Sequence, residues 1–271
     1  MNRRQTAAIL AATIVIILIG ISIAGQTLRN TSLEADFAQR ALGPSWSHPF
    51  GTDLLGRDML TRTIAGLSLS LFVGMAASGA AAVIGLIVGV GAALGRRWVD
   101  HLINWVIDLT MGIPHILLVI LIAIAAGGGW KGLMIGIILT HWTGLARIIR
   151  GEALQIRSNH YVAASRKLGR SQWWVMSRHI LPHMVPQFFI GLILLFPHAI
   201  LHESGLTFLG FGLPPEQPAI GIILSESMRH LSGGMWWLAV FPGLCLVIMV
   251  LLIDKLGECV KLLLDPTRAQ E

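Results

Sequence analysis

Six apolar stretches dominate the chain, at residues 7–25, 67–94, 105–126, 133–149, 187–201 and 235–252. A bilayer core takes about 20 apolar residues per helix. Each stretch therefore predicts a membrane-spanning helix, the fourth and fifth being short. The fifth contains Pro197, which predicts a kinked or broken helix. The second is rich in small residues, and its Gly85 and Gly89 form a G-x-x-x-G that permits close helix contact. The expectation is an all-α integral membrane protein of six transmembrane helices. It divides into an N-terminal span with an extracytoplasmic segment (1–66), a core (67–254) and a tail (255–271).

Composition agrees. Of 271 residues, 54% are hydrophobic and 13% charged, against roughly 25% charged in an ordinary soluble domain. This excludes a soluble enzyme and a disordered chain. Cys245 and Cys259 cannot build a disulfide framework. The net charge of +6 fits membrane topology, and no soluble domain carries a basic face for nucleic acid. With the N-terminus inside, fourteen of the 20 Lys and Arg residues fall on cytoplasmic segments, among them Arg3, Arg4, Arg96, Arg97, Arg147, Lys255, Lys261 and Arg268. The positive-inside rule thus predicts both termini in the cytoplasm. Arg3 and Arg4, with Ser22-Ile23-Ala24 downstream, also fit a cleaved signal peptide. The apolar run exceeds the usual 7–15 residues of such a peptide, so a retained anchor is expected. Trp98, Trp105, Trp130, Trp236 and Trp237 sit at span ends as interface anchors.

Three connections are long, and long loops tend to carry function. The first, outside, holds His48-Pro49-Phe50-Gly51-Thr52-Asp53-Leu54-Leu55-Gly56-Arg57-Asp58, in which Asp58 can cap the second span. The second, inside at 150–186, is basic. Tyr161, Val162, Ala164, Ser165 and Leu168 fall on one helical face, and Gly169 ends that helix. Ser171 can cap a second helix that ends before Pro182. This element is either an interfacial helix on anionic lipid or a docking element for a cytoplasmic partner. The third, outside at 202–234, contains Phe208-Leu209-Gly210-Phe211-Gly212-Leu213-Pro214-Pro215 and is too broken for a long helix. A re-entrant, gate-like segment is expected there.

Together these motifs resemble the inner-membrane permease subunits of ABC importers for peptides and nickel. The outside motif is similar to H-P-x-G-T-D-x-x-G-R-D, matched at His48, Pro49, Gly51, Thr52, Asp53, Gly56, Arg57 and Asp58. Leu206 to Gly212 with Pro214-Pro215 is similar to L-S-F-L-G-x-G…P-P. The cytoplasmic loop resembles E-A-A-x-x-x-G-x(9)-I-x-L-P, with Ala163 in place of Glu, Ser165 of Ala and His179 of Ile; Gly169 and Leu181-Pro182 remain. The resemblance implies a type I ABC importer permease in a bacterial or archaeal inner or plasma membrane. It implies as partners a homologous second permease, two ATP-binding subunits and an extracytoplasmic binding protein. Tyr161, Val162, Ala163, Ala164, Ser165, Lys167, Leu168 and Gly169 would couple to the ATPase. The chain has no G-x(4)-G-K-[ST]. No cofactor is therefore expected on this chain, and ATP and Mg belong to the partner subunits.

His198 and His202, spaced i, i+4 and followed by Glu203, share one helix face. They either line a polar pathway or touch a metal in transit. This is not the zincin H-E-x-x-H, because the Glu lies outside the pair, and no catalytic constellation is present. An inverted repeat that would favour a stand-alone transporter is also lacking. His115 and His141 complete the expected pathway. Asp108 lies near the cytoplasmic end of the third span, within reach of Arg96 or Arg97. The His-x-x-x-His and the His141-Trp142 pair look like nickel permeases. The favoured cargo is therefore nickel or a small metal chelate, with di- or oligopeptide as the alternative.

Overall fold

The computed structural model describes residues 3–264, and Arg268 with the rest of 265–271 lies outside them. Among the described residues the regular structure is helical, apart from one isolated bridge between Thr52 and Asp58. The helices are α1 Arg3–Thr27, α2 Met59–Leu94, α3 Arg97–Gly112, α4 His115–Ala125, α5 Gly129–Arg157, α6 His160–Lys167, α7 Gln172–Val175, α8 Leu181–Phe208, α9 Ile220–Met228 and α10 Trp237–Leu264.

Five helical segments are long and apolar enough to cross a membrane, and a bent α3–α4 pair makes a sixth crossing if counted as one. The third span is thus not the single helix expected at 105–126. It breaks at Ile113-Pro114 with a bend of 102°. Proline removes a backbone donor and disfavours helical geometry in the residue before it. The other spans outrun their apolar runs. α2 starts eight residues before position 67, because Asp58 Oδ1 accepts from Thr61 N (2.8 Å) and caps it. α5 runs on to Arg157, so Arg147, Arg150 and Arg157 belong to a helix and not to the loop.

α2 is the central element and packs on α1, α5 and α8. Its small residues allow this. A Cβ at Gly89 would stand 2.6 Å from Ala146 O of α5, and one at Gly85 3.1 Å from Trp142 O. The last carbonyls of α2 have no partner within the helix. Arg157 donates to Ala93 O (2.6 Å) and Gln172 to Leu94 O (2.5 Å). α3 is tied to α5 by ion pairs. Arg150 grips Asp100 through Nε (2.5 Å) and Nη2 (2.7 Å), and Arg147 meets Asp108 at 2.6 Å. Asp108 therefore pairs across helices and not with Arg96 or Arg97.

Pro182 does not end the helix begun at Ser171. Ser171 Oγ accepts from Trp174 N (3.2 Å), as a cap should. A π-helical turn at Met176–Ile180 then carries the chain into α8, with Pro182 in its first turn. The segment Gln172–Phe208 is one helical rod of 37 residues, containing Pro186 and Pro197. Arg4 donates to Leu263 O (3.1 Å), so the start of α1 and the end of α10 lie at the same end of the bundle.

Candidate functional site

At the end of the bundle opposite Arg4 and Leu263, the motif at 48–58 folds into a compact polar knot. Gly51 and Gly56 take positive φ (71° and 74°), which a side chain resists. Thr52 is buried, donating to Gln39 O (2.5 Å) and accepting from Leu42 N (2.9 Å). Asp53 is the hub. Its Oδ1 accepts from Leu55 N and Arg57 N, both at 2.9 Å. Its Oδ2 accepts from Arg57 Nε and Arg62 Nη1, both at 2.7 Å. Arg57 (3.4 Å) and Arg62 (3.0 Å) also reach Glu226 of α9. His48 Nδ1 lies 2.9 Å from Asp58 Oδ2. Burial pushes the Asp58 carboxyl up, but hydrogen bonds from the Thr61 N–H, His48 and the Thr61 hydroxyl outweigh it, and the net shift is downward. Gly51, Thr52, Asp53, Gly56, Arg57 and Asp58 thus pin the start of α2 to α9. Arg62, outside the motif, carries as much of the knot, and only its buried position reveals that.

The expected gate region is a turn followed by α9. Leu206 to Phe208 remain in α8, and α9 packs on α8, α10 and α2. Gly221 meets the backbone of Ser204 and Phe208, where no side chain fits.

Between the α3–α4 hinge, α5 and α8 lies a cavity of about 550 Å³. His115, His141, His198 and His202 line it, with Thr140 and Thr143. Its size is in the range of small-ligand sites. Three rings converge, from three helices. The His115 and His141 centroids are 4.6 Å apart, His115 and His202 4.8 Å, and His141 and His202 5.1 Å. His202 therefore groups with His115 and His141, and not with His198. The latter lines the same cavity one turn earlier and is exposed. Glu203 is not at the cavity. It is fully buried against α2, accepting from Ser70 Oγ (2.7 Å), Ser204 Oγ (3.1 Å) and Thr207 Oγ1 (3.1 Å).

At the same end of the bundle as Arg4 and Leu263, α6 stands on one anchor, Val162, which is fully buried. The single face expected for Tyr161, Val162, Ala164, Ser165 and Leu168 does not pack as a unit. Tyr161 and Leu168 are exposed, Leu168 at 82%, and so are Ala163, Ala164 and Lys167. Two departures from the loop motif answer each other. Ser165 Oγ lies 3.0 Å from His179 Nε2, and the His179 ring sits edge-on between Tyr161 and Trp174. Where the motif has an apolar Ala and Ile, this chain closes the turn with a hydrogen bond. Gly169 ends α6 at φ 80°.

The family described as binding-protein-dependent transport system inner membrane component matches residues 81–270. The chain belongs to that family. It is 37% identical over 228 residues to a putative peptide transport system permease protein of Brucella abortus, covering 84% of this chain and 76% of that one. It is 34% identical over 228 residues to the dipeptide transport system permease protein of Bacillus subtilis, covering 84% and 71%. The fold is shared with a chain of the MetNI methionine ABC transporter, solved in inward-facing conformations. The TM-score there is 0.60 at 18% identity, over 76% of this chain and 98% of that one. The permease is thus a multi-pass membrane component of an ABC importer. It works with a binding protein and with ATPase partners, and hydrolysis resides in those partners.

Proposed function

We propose that this permease carries peptides, the alternative cargo, ahead of the nickel or metal chelate that the histidine motifs favoured. The observation that carries this is the name of its relatives: those at 34–37% identity are peptide and dipeptide permeases. The cavity fits that reading, with threonine hydroxyls and imidazoles for the polar backbone of a peptide and Met111 and Ile113 as apolar wall. A metal chelate is kept as a second reading on one observation, the convergence of His115, His141 and His202.

In this reading the chain pairs with a homologous permease, two ATPases sit below, and a binding protein delivers cargo from above. The knot at 48–58 and α9 face the binding protein. Tyr161, Ala163, Ala164, Lys167 and Leu168 are the exposed surface of a coupling helix, held from behind by Val162, Ser165 and the Gly169 turn. The end of the bundle that carries α6, Arg4 and Leu263 faces the cytoplasm. ATP-driven closure of the ATPases swings the spans between two states.

The test is ATP hydrolysis by the whole complex in proteoliposomes, on adding binding protein loaded with a dipeptide, with nickel or with a nickel chelate. Stimulation by the dipeptide supports the proposal. Stimulation by a metal form alone overturns it.

A further inference from the structure

We propose that His115, His141 and His202 form a site for one divalent transition-metal ion within the cavity, an assignment that goes beyond peptide carriage. One ligand nitrogen from each of the three lies within 4.8 Å of the others. Three neutral imidazoles leave one position of a tetrahedral ion open, and in this arrangement a donor of the cargo fills it. Imidazole suits ions of borderline softness such as Zn, Cu, Fe and Ni, and there is no carboxylate in the group to draw Ca or Mg.

His141 supplies the second observation. Its Nδ1 lies 2.9 Å from Ile137 O, a carbonyl, which can only accept. The proton is therefore on Nδ1, and Nε2 presents a lone pair. That Nε2 is buried and has no hydrogen-bond partner among the described residues, in a side chain only 7% exposed. An orphaned buried acceptor is costly. A ligating histidine commonly donates its other N–H to a backbone carbonyl, which fixes the tautomer and turns the free nitrogen to the metal. Ile137 plays that part here. The His115 and His202 rings lie next to the His141 ring, with centroids 4.6 and 5.1 Å from it.

The geometry also says how the ion is let go. Metal–nitrogen bonds of about 2.0–2.1 Å at tetrahedral angles set the nitrogens about 3.4 Å apart. The widest separation allowed here is 4.8 Å. Binding closes the widest pair by no more than about 1.4 Å, and the three sit on α4, α5 and α8. Affinity is therefore tied to the relative positions of three helices, and a swing of α4 at the Pro114 break opens the site.

The test titrates Co(II) into the chelator-treated permease complex in detergent, followed by visible absorption and by equilibrium dialysis. The proposal expects one ion per copy of this chain with the ligand-field bands of a tetrahedral nitrogen site. H202Q and H115Q should each weaken it by at least about tenfold, since even an outer partner of a ligand costs 10–100-fold. H183Q, at an exposed histidine remote from the cavity, should not change it. No saturable binding, or binding unmoved by H202Q and H115Q, overturns the assignment. Dipeptide-stimulated ATP hydrolysis in the chelator-treated complex is read in parallel. Its absence both before and after metal is restored counts against peptide carriage, whereas failure of Co(II) binding alone counts only against the metal site.

Discussion

Asp53 offers the sharpest test of the knot at 48–58. Its carboxylate takes four hydrogen bonds, two from backbone N–H groups at 2.9 Å and two from guanidinium groups at 2.7 Å. Its partner Arg62 is 2% exposed, whereas the other acid on Arg62, Glu226, is 41% exposed. Truncating Asp53 to alanine strands a buried guanidinium with one half-solvated partner. Breaking a buried pair in this way costs about 3–5 kcal/mol. Loss of the Glu226 contact, screened by water, costs about 0–1 kcal/mol. At roughly 2–4 °C per kcal/mol for a chain of this size, D53A lowers Tm by on the order of 6–20 °C. E226Q stays within a few degrees. Cys259, only 5% exposed, provides the readout, since a thiol-reactive dye reports unfolding as it becomes accessible. The double variant D53A/R62M removes the stranded charge and should recover most of the loss. A D53A Tm within about 2 °C of wild type, or E226Q as damaging as D53A, refutes the reasoning.

Further outcomes follow from other contacts. G89A forces a Cβ to 2.6 Å from Ala146 O and should cost about 1–3 kcal/mol in a thermal melt. G91A on the open side of the same helix should be neutral or stabilising. L168A removes a side chain that is 82% exposed, so Tm should hold while cargo-stimulated ATP hydrolysis falls; equal loss of both would remove it from the coupling surface. G169A places a Cβ at φ 80° and should cost about 1–2 kcal/mol, measured the same way. D58A loses a helix cap worth about 0.5–2 kcal/mol. Because the Asp58 carboxyl is held below its ordinary range, the wild-type advantage over D58A is present above that range. It fades as pH falls through the lowered value, so parallel melts at pH 7 and at acid pH should converge.

Local features were legible in the sequence, and features made by assembly were not. Asp58 and Ser171 cap the helices expected of them because a cap needs only its next turn. Gly169 ends α6 for the same reason, and Gly85 and Gly89 mark where α5 comes close. The third span was expected as one helix, and its break at Pro114 with a bend of 102° goes with the packing of α4 on α5 through Gly132 and Gly136, a contact made by assembly. Pro182 misled, because a π turn absorbs it. The i, i+4 rule brought out His198 and His202, yet the convergent group draws one ring from each of three helices, which no local spacing encodes. Asp108 likewise passed over its neighbours in the chain for Arg147 on α5. The ranking of cargo followed the histidine motifs, whereas relatives matched over 84% of the chain are named for peptides.

The helical rod from Gln172 to Phe208 joins the turn after α6 to the cavity without a loop between them. From Ile180 to His202 an α-helix measures about 33 Å at 1.5 Å per residue. A rocking of about 10° at the π turn would then sweep His202 sideways by about 6 Å, enough to take it out of reach of His115 and His141. Pro186 and Pro197 lie along this arm, each deleting one rung of backbone hydrogen bonding. They set its bending compliance, and so the fraction of a push at α6 that arrives at the cavity as motion and is not absorbed as flexure.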